Sequence, residues 1–427
     1  MPRLKWNQVA SYAISPCLVV AIACGGGGGG STATTTPTPP AQTGPASGSE
    51  FLYALGGSGP IGGGGSEVYA SSLNPTTGQL TEPVDVTAPT LPRTIGMLEQ
   101  LPPIAVGKYL YAPGYNQPYY TDAIFPFSIT GTQGQLTAQS NYPLNFGGPA
   151  NLQDFLIDGR GRYLYASFYL GMDQNAIQAF TINQSTGEIL RAGNYYVEPN
   201  FTGTLVLQAA DPAGKYLYAF ALTPGGSEIL VYAIDPSTGM VGEVPGSPFS
   251  ASAQGDSINM FVAPSGKFLY FYGKATDQSN LIWPALYIYS VDSATGKPTP
   301  TAASPIILPN ANGTPAFSPS GNLLYMPERF ADNSGNVNFD IGVFKVNQTD
   351  GSIAPNAVSS VSTPYSTFYL DPSGKVLLIG PGGSNYQTFW SYLVDDSTGA
   401  LTPAQGSPFF ANDPNTLNQF YTIVRIP

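Results

Sequence analysis

Apolar and polar positions alternate along this chain in short runs of β-branched and aromatic residues. Each run is closed by Gly, Asp, Asn or Pro, the pattern of antiparallel strands joined by tight turns. One phrase recurs: a turn ending in Gly, then a strand reading Leu-Tyr or nearly so. Its copies are Phe51-Leu52-Tyr53, Tyr109-Leu110-Tyr111, Tyr163-Leu164-Tyr165, Tyr216-Leu217-Tyr218, Phe268-Leu269-Tyr270, Leu323-Leu324-Tyr325 and Val376-Leu377-Leu378. The central leucines at 52, 110, 164, 217, 269, 324 and 377 set a period of about 54 residues, and a fixed period of that size marks one repeat architecture rather than several unrelated domains.

The third unit shows how each repeat divides. Phe155 to Ile157 is a first strand, Asp158-Gly159-Arg160-Gly161 a turn, and Tyr163-Leu164-Tyr165 part of the second. Ala176 to Ile182 forms the third, Ser185-Thr186-Gly187 turns again, and Ile189 opens the fourth. The second turn recurs as Pro75-Thr76-Thr77-Gly78, Pro236-Ser237-Thr238-Gly239, Ala294-Thr295-Gly296 and Ser397-Thr398-Gly399. Asp or Asn ahead of such a turn bonds the backbone beyond it, and Gly takes the positive φ that closes it. These aspartates are read as turn chemistry, since the ligand spacing of a calcium loop is absent.

The first unit starts directly at Glu50-Phe51-Leu52-Tyr53 and lacks a first strand, whereas Asn418 to Val424 reads as a first strand with nothing after it. Pairing the two closes a ring. The fold class predicted is all-β, a seven-bladed β-propeller of four-stranded antiparallel blades over residues 50–427, its C-terminal strand completing the first blade. Closure of this kind protects sheet edges.

Only 10% of residues are charged, while Gly (50), Pro (41) and Tyr (27) are abundant, which fits short strands and tight turns rather than helices. Residues 1–23 read as a lipoprotein signal peptide. Arg3 and Lys5 precede a short apolar stretch, and Ala21-Ile22-Ala23 presents small residues before Cys24, the expected lipidation site. Residues 24–49, rich in Gly, Ser, Thr and Pro, have little to bury and are expected to form a disordered tether of roughly 25–30 Å. These features place the protein in a bacterial envelope, exported and lipid-anchored, on the periplasmic face of a membrane or in the outer membrane. The anchor is its only expected membrane contact.

No cysteine follows Cys24 and the sequence has no histidine, so the folded part has no disulfide and no thiolate or imidazole ligand; no metal and no cofactor are expected. Loss of Arg3 and Lys5 with the leader takes the net charge from −11 to −13. Such a surface repels phosphate backbones, and nucleic acid is not expected as a partner. A monomer is expected.

In this architecture the first strands line a central channel, and the loops between second and third strands share a rim with their starts. That rim carries the longer, more varied connections, where binding usually resides. Counting back from each turn glycine places Arg93, Glu99, Gln100, Gln153, Asp154, Gln208, Asp256, Asn259, Thr314, Ser366 and Gln419 near the channel mouth. Of these, Gln100, Asp154, Gln208, Asp256 and Asn259 are the ligand-binding candidates. The loop aromatics Tyr115, Tyr119 and Tyr120, with Tyr169, Tyr272 and Trp283, offer a stacking platform, or else ordinary packing between blades. Glu99 and Glu328 are the candidate bases and Arg93 and Arg329 the candidate cations; Glu328-Arg329 reads equally as a surface ion pair. The Gly56 to Gly65 run lacks a Gly-Lys-Ser/Thr ending and is read as a loop, not a phosphate cradle.

Asp371-Pro372-Ser373-Gly374-Lys375, with near copies at Asp211 to Lys215 and Ala263 to Lys267, combines with third strands such as Ile229 to Asp235 in a pattern that resembles the lactonase-type seven-bladed propellers. That group includes bacterial propeller 6-phosphogluconolactonases, muconate-lactonising enzymes and related exported proteins. The resemblance spans residues 50–427 and rests on turns and core strands. It implies the propeller fold and, for the enzymes, a histidine with Glu and Arg near the channel mouth. Without any histidine, this chain inherits no catalytic residue position by position, and a Ser-His nucleophile is excluded. The sequence therefore favours a non-enzymatic envelope module whose loop-rich rim binds a protein, glycan or small ligand. The alternative is a divergent lactonase using a Glu base and an Arg.

Overall fold

A computed structural model describes residues 47–57, 66–86, 101–116, 121–139, 144–146, 151–171, 174–198, 204–223, 226–251, 254–331, 337–380, 388–410 and 417–427. Residues 1–46, which hold the expected leader, Cys24 and most of the expected tether, lie outside them. Seven antiparallel sheets follow one another along the chain. Blade 3 is typical: Asn151–Ile157 innermost, then Tyr163–Gly171, Gln174–Ile182 and Ile189–Arg191. The innermost strands of neighbouring blades touch around the axis, as Asn151–Ile157 does Thr204–Ala210 and Thr204–Ala210 does Gln254–Val262.

Ring closure is the expected one. Leu417–Arg425 pairs antiparallel with Glu50–Gly57, matching Phe51 to Val424, Tyr53 to Thr422 and Leu55 to Phe420. Two further bonds pin the entry of the chain to the same seam: Gly48 N–H to the Ile426 carbonyl and Ile426 N–H to the Ser49 carbonyl, each 2.8 Å.

Period-2 alternation on the second strands explains how the blades cohere, because successive side chains leave opposite faces of a sheet. Phe51, Tyr53 and Leu55 pack toward blade 2, while Leu52 and Ala54 pack toward blade 7. Repeated around the ring, this yields one apolar cluster at each of the seven blade interfaces. Both sheet faces are therefore buried, which is why the central strands read as nearly continuous apolar runs.

The recurring tyrosine has a specific task. Its buried hydroxyl donates to the carbonyl of the turn glycine in the next blade: Tyr53 to Gly134 at 2.7 Å, Tyr111 to Gly187 at 2.8 Å, Tyr165 to Gly239 at 2.9 Å and Tyr270 to Gly351 at 2.5 Å. Where blade 7 has Leu378 instead, Ser391 Oγ donates to Gly78 at 2.6 Å and closes the circle. In blade 6 the Gly399 carbonyl is taken by Ser359, and the buried hydroxyls of Tyr218 in blade 4 and Tyr325 in blade 6 make no such bond. Tyr111→Phe keeps the ring but strands a buried carbonyl. We expect a loss of about 1–2 kcal/mol, read as a lower urea midpoint with an unchanged slope.

The turn motifs resolve as read. Asn74, Asn183, Asp235, Asp292, Asn347 and Asp395 each accept the N–H two residues on at 2.8–2.9 Å. In the inner turns, Asp158 accepts the Tyr163 N–H at 2.8 Å and Asp371 the Val376 N–H at 2.6 Å.

Two features differ from the sequence reading. The connections on the loop-rich rim are shorter than expected, because strand pairing runs on into them: Pro327 pairs Ile341 and Ala331 pairs Val337 in blade 6, and Thr276 pairs Ile282 in blade 5. In five blades the outer strand is also split in two, as Val241–Glu243 and Phe249–Ser250, with both pieces on the third strand. At that break a serine before proline accepts a third-strand N–H, as Ser247 from Val231, Ser304 from Ile288 and Ser407 from Ser391. An outer edge interrupted in this way is a poor template for a further strand.

Candidate functional site

The loop-rich rim is held by a second set of clasps. Asp122, second residue of the third strand of blade 2, accepts the Leu152 N–H of blade 3 at 2.5 Å. Asn175 holds the same place in blade 3 and accepts the Leu205 N–H of blade 4 at 3.4 Å. Each grips the upper end of the next axis-bordering strand.

On those strands the ladder is irregular at the positions of interest. Between Asp154, opposite Ser167, and Leu152, opposite Phe168, Gln153 is an extra residue. Between Leu207, opposite Ala219, and Ala209, opposite Tyr218, the extra residue is Gln208. A bulge bends its strand and re-aims the side chains beside it.

Asp154 therefore sits on the axis-bordering strand of blade 3, below a bulge and beneath the Asp122 clasp. Its Oδ1 accepts the N–H of Phe155 at 2.7 Å. Loss of solvation dominates its titration and, against the lowering effect of that bond, pushes the carboxyl up to about 7. No ion pair involves it among the described residues. A carboxyl poised near neutrality on a channel strand has the proton affinity a general base needs. Asp122 is shifted upward as well, by burial, although the Leu152 bond opposes the shift.

Several other candidates spend their polar atoms on holding blades together. Gln208 Oε1 accepts the Met260 N–H at 3.1 Å, and Asn259 Nδ2 donates to Thr314 Oγ1 at 3.0 Å across blades 5 and 6. Ser366 lies half-buried just before the inner strand of blade 7. Tyr272 is buried in the interface cluster of blades 5 and 6, and Trp283 Nε1 donates to Asp277 at 2.9 Å. Tyr169 ends up half-buried in a second strand.

Glu328 and Arg329 belong to the strand Leu323–Ala331 rather than to a loop. As strand neighbours they face opposite sides and form no ion pair. Glu328 lies over Gly342, where a Cβ would come within 2.6 Å of Oε2, and burial and the cross-strand Asp340 raise its carboxyl. Arg329 is exposed. Arg93, Glu99, Gln100, Tyr119 and Tyr120 fall outside the described residues, as do the side chains of Tyr115, Asp256 and Gln419. Among the described residues no three His, Cys, Asp or Glu side chains gather as a metal site would require.

No family model matches the sequence, and no curated protein does either. Solved structures do match. Two candidate 6-phosphogluconolactonases, from Bacteroides uniformis and Bacteroides fragilis, superpose with TM-scores of 0.57 and 0.55 at 20% and 18% identity. They cover 87% and 90% of this chain and 99% of each of their own. The periplasmic gluconolactonase of Pseudomonas aeruginosa gives 0.55 at 15% identity over 88% of this chain and 100% of its own.

By fold, the chain is a seven-bladed β-propeller, the architecture it shares with these structures. Its likeness to these structures runs the length of the ring and is one of architecture. The chain carries no histidine, and Asp154 is a described carboxyl on an axis-bordering strand that desolvation raises. Counting along the sequence did reach Asp154. What it could not register was the bulge at Gln153 or the Asp122 and Asn175 clasps, whose equal separation of 30 residues from their targets was the available signal.

Proposed function

We propose that the protein is an exported, lipid-anchored hydrolase of the lactonase type that opens uncharged lactones, with Asp154 as general base. The observation that carries this reading is the place of Asp154 on an axis-bordering strand, beside the Gln153 bulge and beneath the Asp122 clasp, with lost solvation raising its carboxyl. In the reaction the ionised carboxylate takes a proton from water and the oxygen attacks the lactone carbonyl. The acyl–oxygen bond of the ring then breaks, and the leaving alkoxide recovers a proton to give the hydroxy acid. The names of the neighbouring structures support hydrolysis of this bond at least as well as a non-enzymatic role. Export agrees with the leader-like segment and with the periplasmic neighbour.

Charge narrows the substrate. At −13 after loss of Arg3 and Lys5, the surface opposes approach of a phosphorylated sugar lactone. Assayed with the full chain at low salt, simple aliphatic and neutral sugar lactones should show kcat/KM at least about tenfold above a 6-phosphorylated sugar lactone, and the gap should narrow as salt screens the field. Absence of turnover with every lactone defeats the hydrolase. It would return the rim to a binding role, carried by residues other than Gln208, Asn259 and Thr314, whose polar atoms hold neighbouring blades together.

A further inference from the structure

Glu50 opens the second strand of blade 1 at the seam where the ring is closed without a covalent link, and it is only 1% exposed. Neither of its carboxyl oxygens meets a donor N–H or O–H, and the polar group that lies against it is another carboxyl, that of Asp371, with which a protonated Glu50 can hydrogen-bond. Arg425, opposite it in the seam, brings Nε to 3.7 Å from Oε1, too far for a hydrogen bond. Leu73, its partner on the other side, is uncharged. From blade 7 come the carboxylate of Asp371 and the ammonium of Lys375.

Both oxygens of Asp371 are already committed as acceptors. Its Oδ1 accepts the Val376 N–H at 2.6 Å and its Oδ2 accepts the Ser373 N–H at 2.9 Å and the Ser373 hydroxyl, all bonds that need an acceptor. Glu50 has no such commitments. A buried carboxyl beside a fixed carboxylate is stable when protonated and repelled when ionised.

We propose that Glu50 is a proton-operated latch, holding blade 1 against blade 7 when protonated and loosening the seam between Leu417–Arg425, Glu50–Gly57 and the Asp371 turn when it ionises. Burial, then Asp371, raise its carboxyl to about 8, outweighing Arg425 and Lys375. Because the folded value lies above the ordinary 4.5, the seam is tightest below that ordinary value and weakens as pH rises through about 8.

Amide exchange on the full chain tests this between pH 5 and 9, corrected for intrinsic rates, with Leu217 to Ala219 of blade 4 as internal reference. In the wild type, protection at Leu52 to Leu55 and at Tyr421 to Val424 should fall by about tenfold or more relative to the reference across that range. In Glu50→Gln, which keeps shape and neutrality, seam protection should stay level. Parallel behaviour of seam and reference in the wild type overturns the latch, as does an undiminished fall in Glu50→Gln. Failure of Glu50→Gln to fold overturns it too, since the neutral side chain is then not the one the seam requires. A carboxyl carbon titration of Glu50 gives a direct second readout: a midpoint above neutrality supports the latch, and one below neutrality overturns it.

Discussion

Asp154→Asn will lower kcat/KM for a neutral lactone by about 10²–10⁴-fold, the range that a positioned general base contributes. In the wild type the rate should climb with pH as the carboxyl ionises and level off above about 7, following the value that desolvation imposes. The Asn variant should lose that step. Its fold is expected to survive, since the amide oxygen can still accept the Phe155 N–H that Oδ1 now receives. The linkage agrees. With its folded value above the ordinary 3.8, Asp154 costs the folded state increasing stability as pH rises from the ordinary value to the raised one, and a neutral isostere removes that cost. A urea midpoint at pH 7.5 that is equal or higher, together with lost turnover, is the expected pair of results. Unimpaired turnover would remove Asp154 from the mechanism.

The second large effect is expected far from the mouth. Gly187→Ala should cost about 2–4 kcal/mol, because it adds strain at positive φ to a steric conflict. Gly187 sits at φ +75, and a Cβ there would fall 2.2 Å from Cδ1 of Tyr109, whose ring packs onto the turn from the preceding blade. Gly246→Ala supplies the comparison. Its φ is +88, but the nearest atom is Phe249 Cε1 at 3.8 Å, so it should lose only the conformational part, about 1 kcal/mol. Denaturant midpoints of the two variants separate backbone strain from ring contact, and equal losses would show that the Tyr109 contact contributes nothing.

These glycines indicate why the architecture was legible in the chain. A turn that needs positive φ and a flat surface for a neighbour's ring admits one residue type, so the requirement is written seven times at nearly even spacing. The tyrosines are equally constrained, yet their partners lie 74 to 81 residues away, and only closure of the ring reveals the pairing. The Gly-Ser-Pro phrase at Gly246-Ser247-Pro248 and Gly406-Ser407-Pro408 was visible too, but its purpose depends on a third-strand N–H brought to it by the fold. The site was less legible for a geometric reason. Counting residues back from a turn assumes an unbroken ladder, and the ladder breaks at Gln153, at Gln208 and between Gln254 and Asn259. Pro327, a residue that usually interrupts a strand, lies within the paired hairpin that carries Glu328.

The chain enters the ring through Gly48 and Ser49, on the side of the tight turns. Asp122 and the upper end of Asn151–Ile157 lie at the other side. The amino-terminal entry and the loop-rich rim are therefore at opposite ends of the ring. A partner held at the amino-terminal end would leave the rim that carries Asp122 and the upper end of Asn151–Ile157 uncovered.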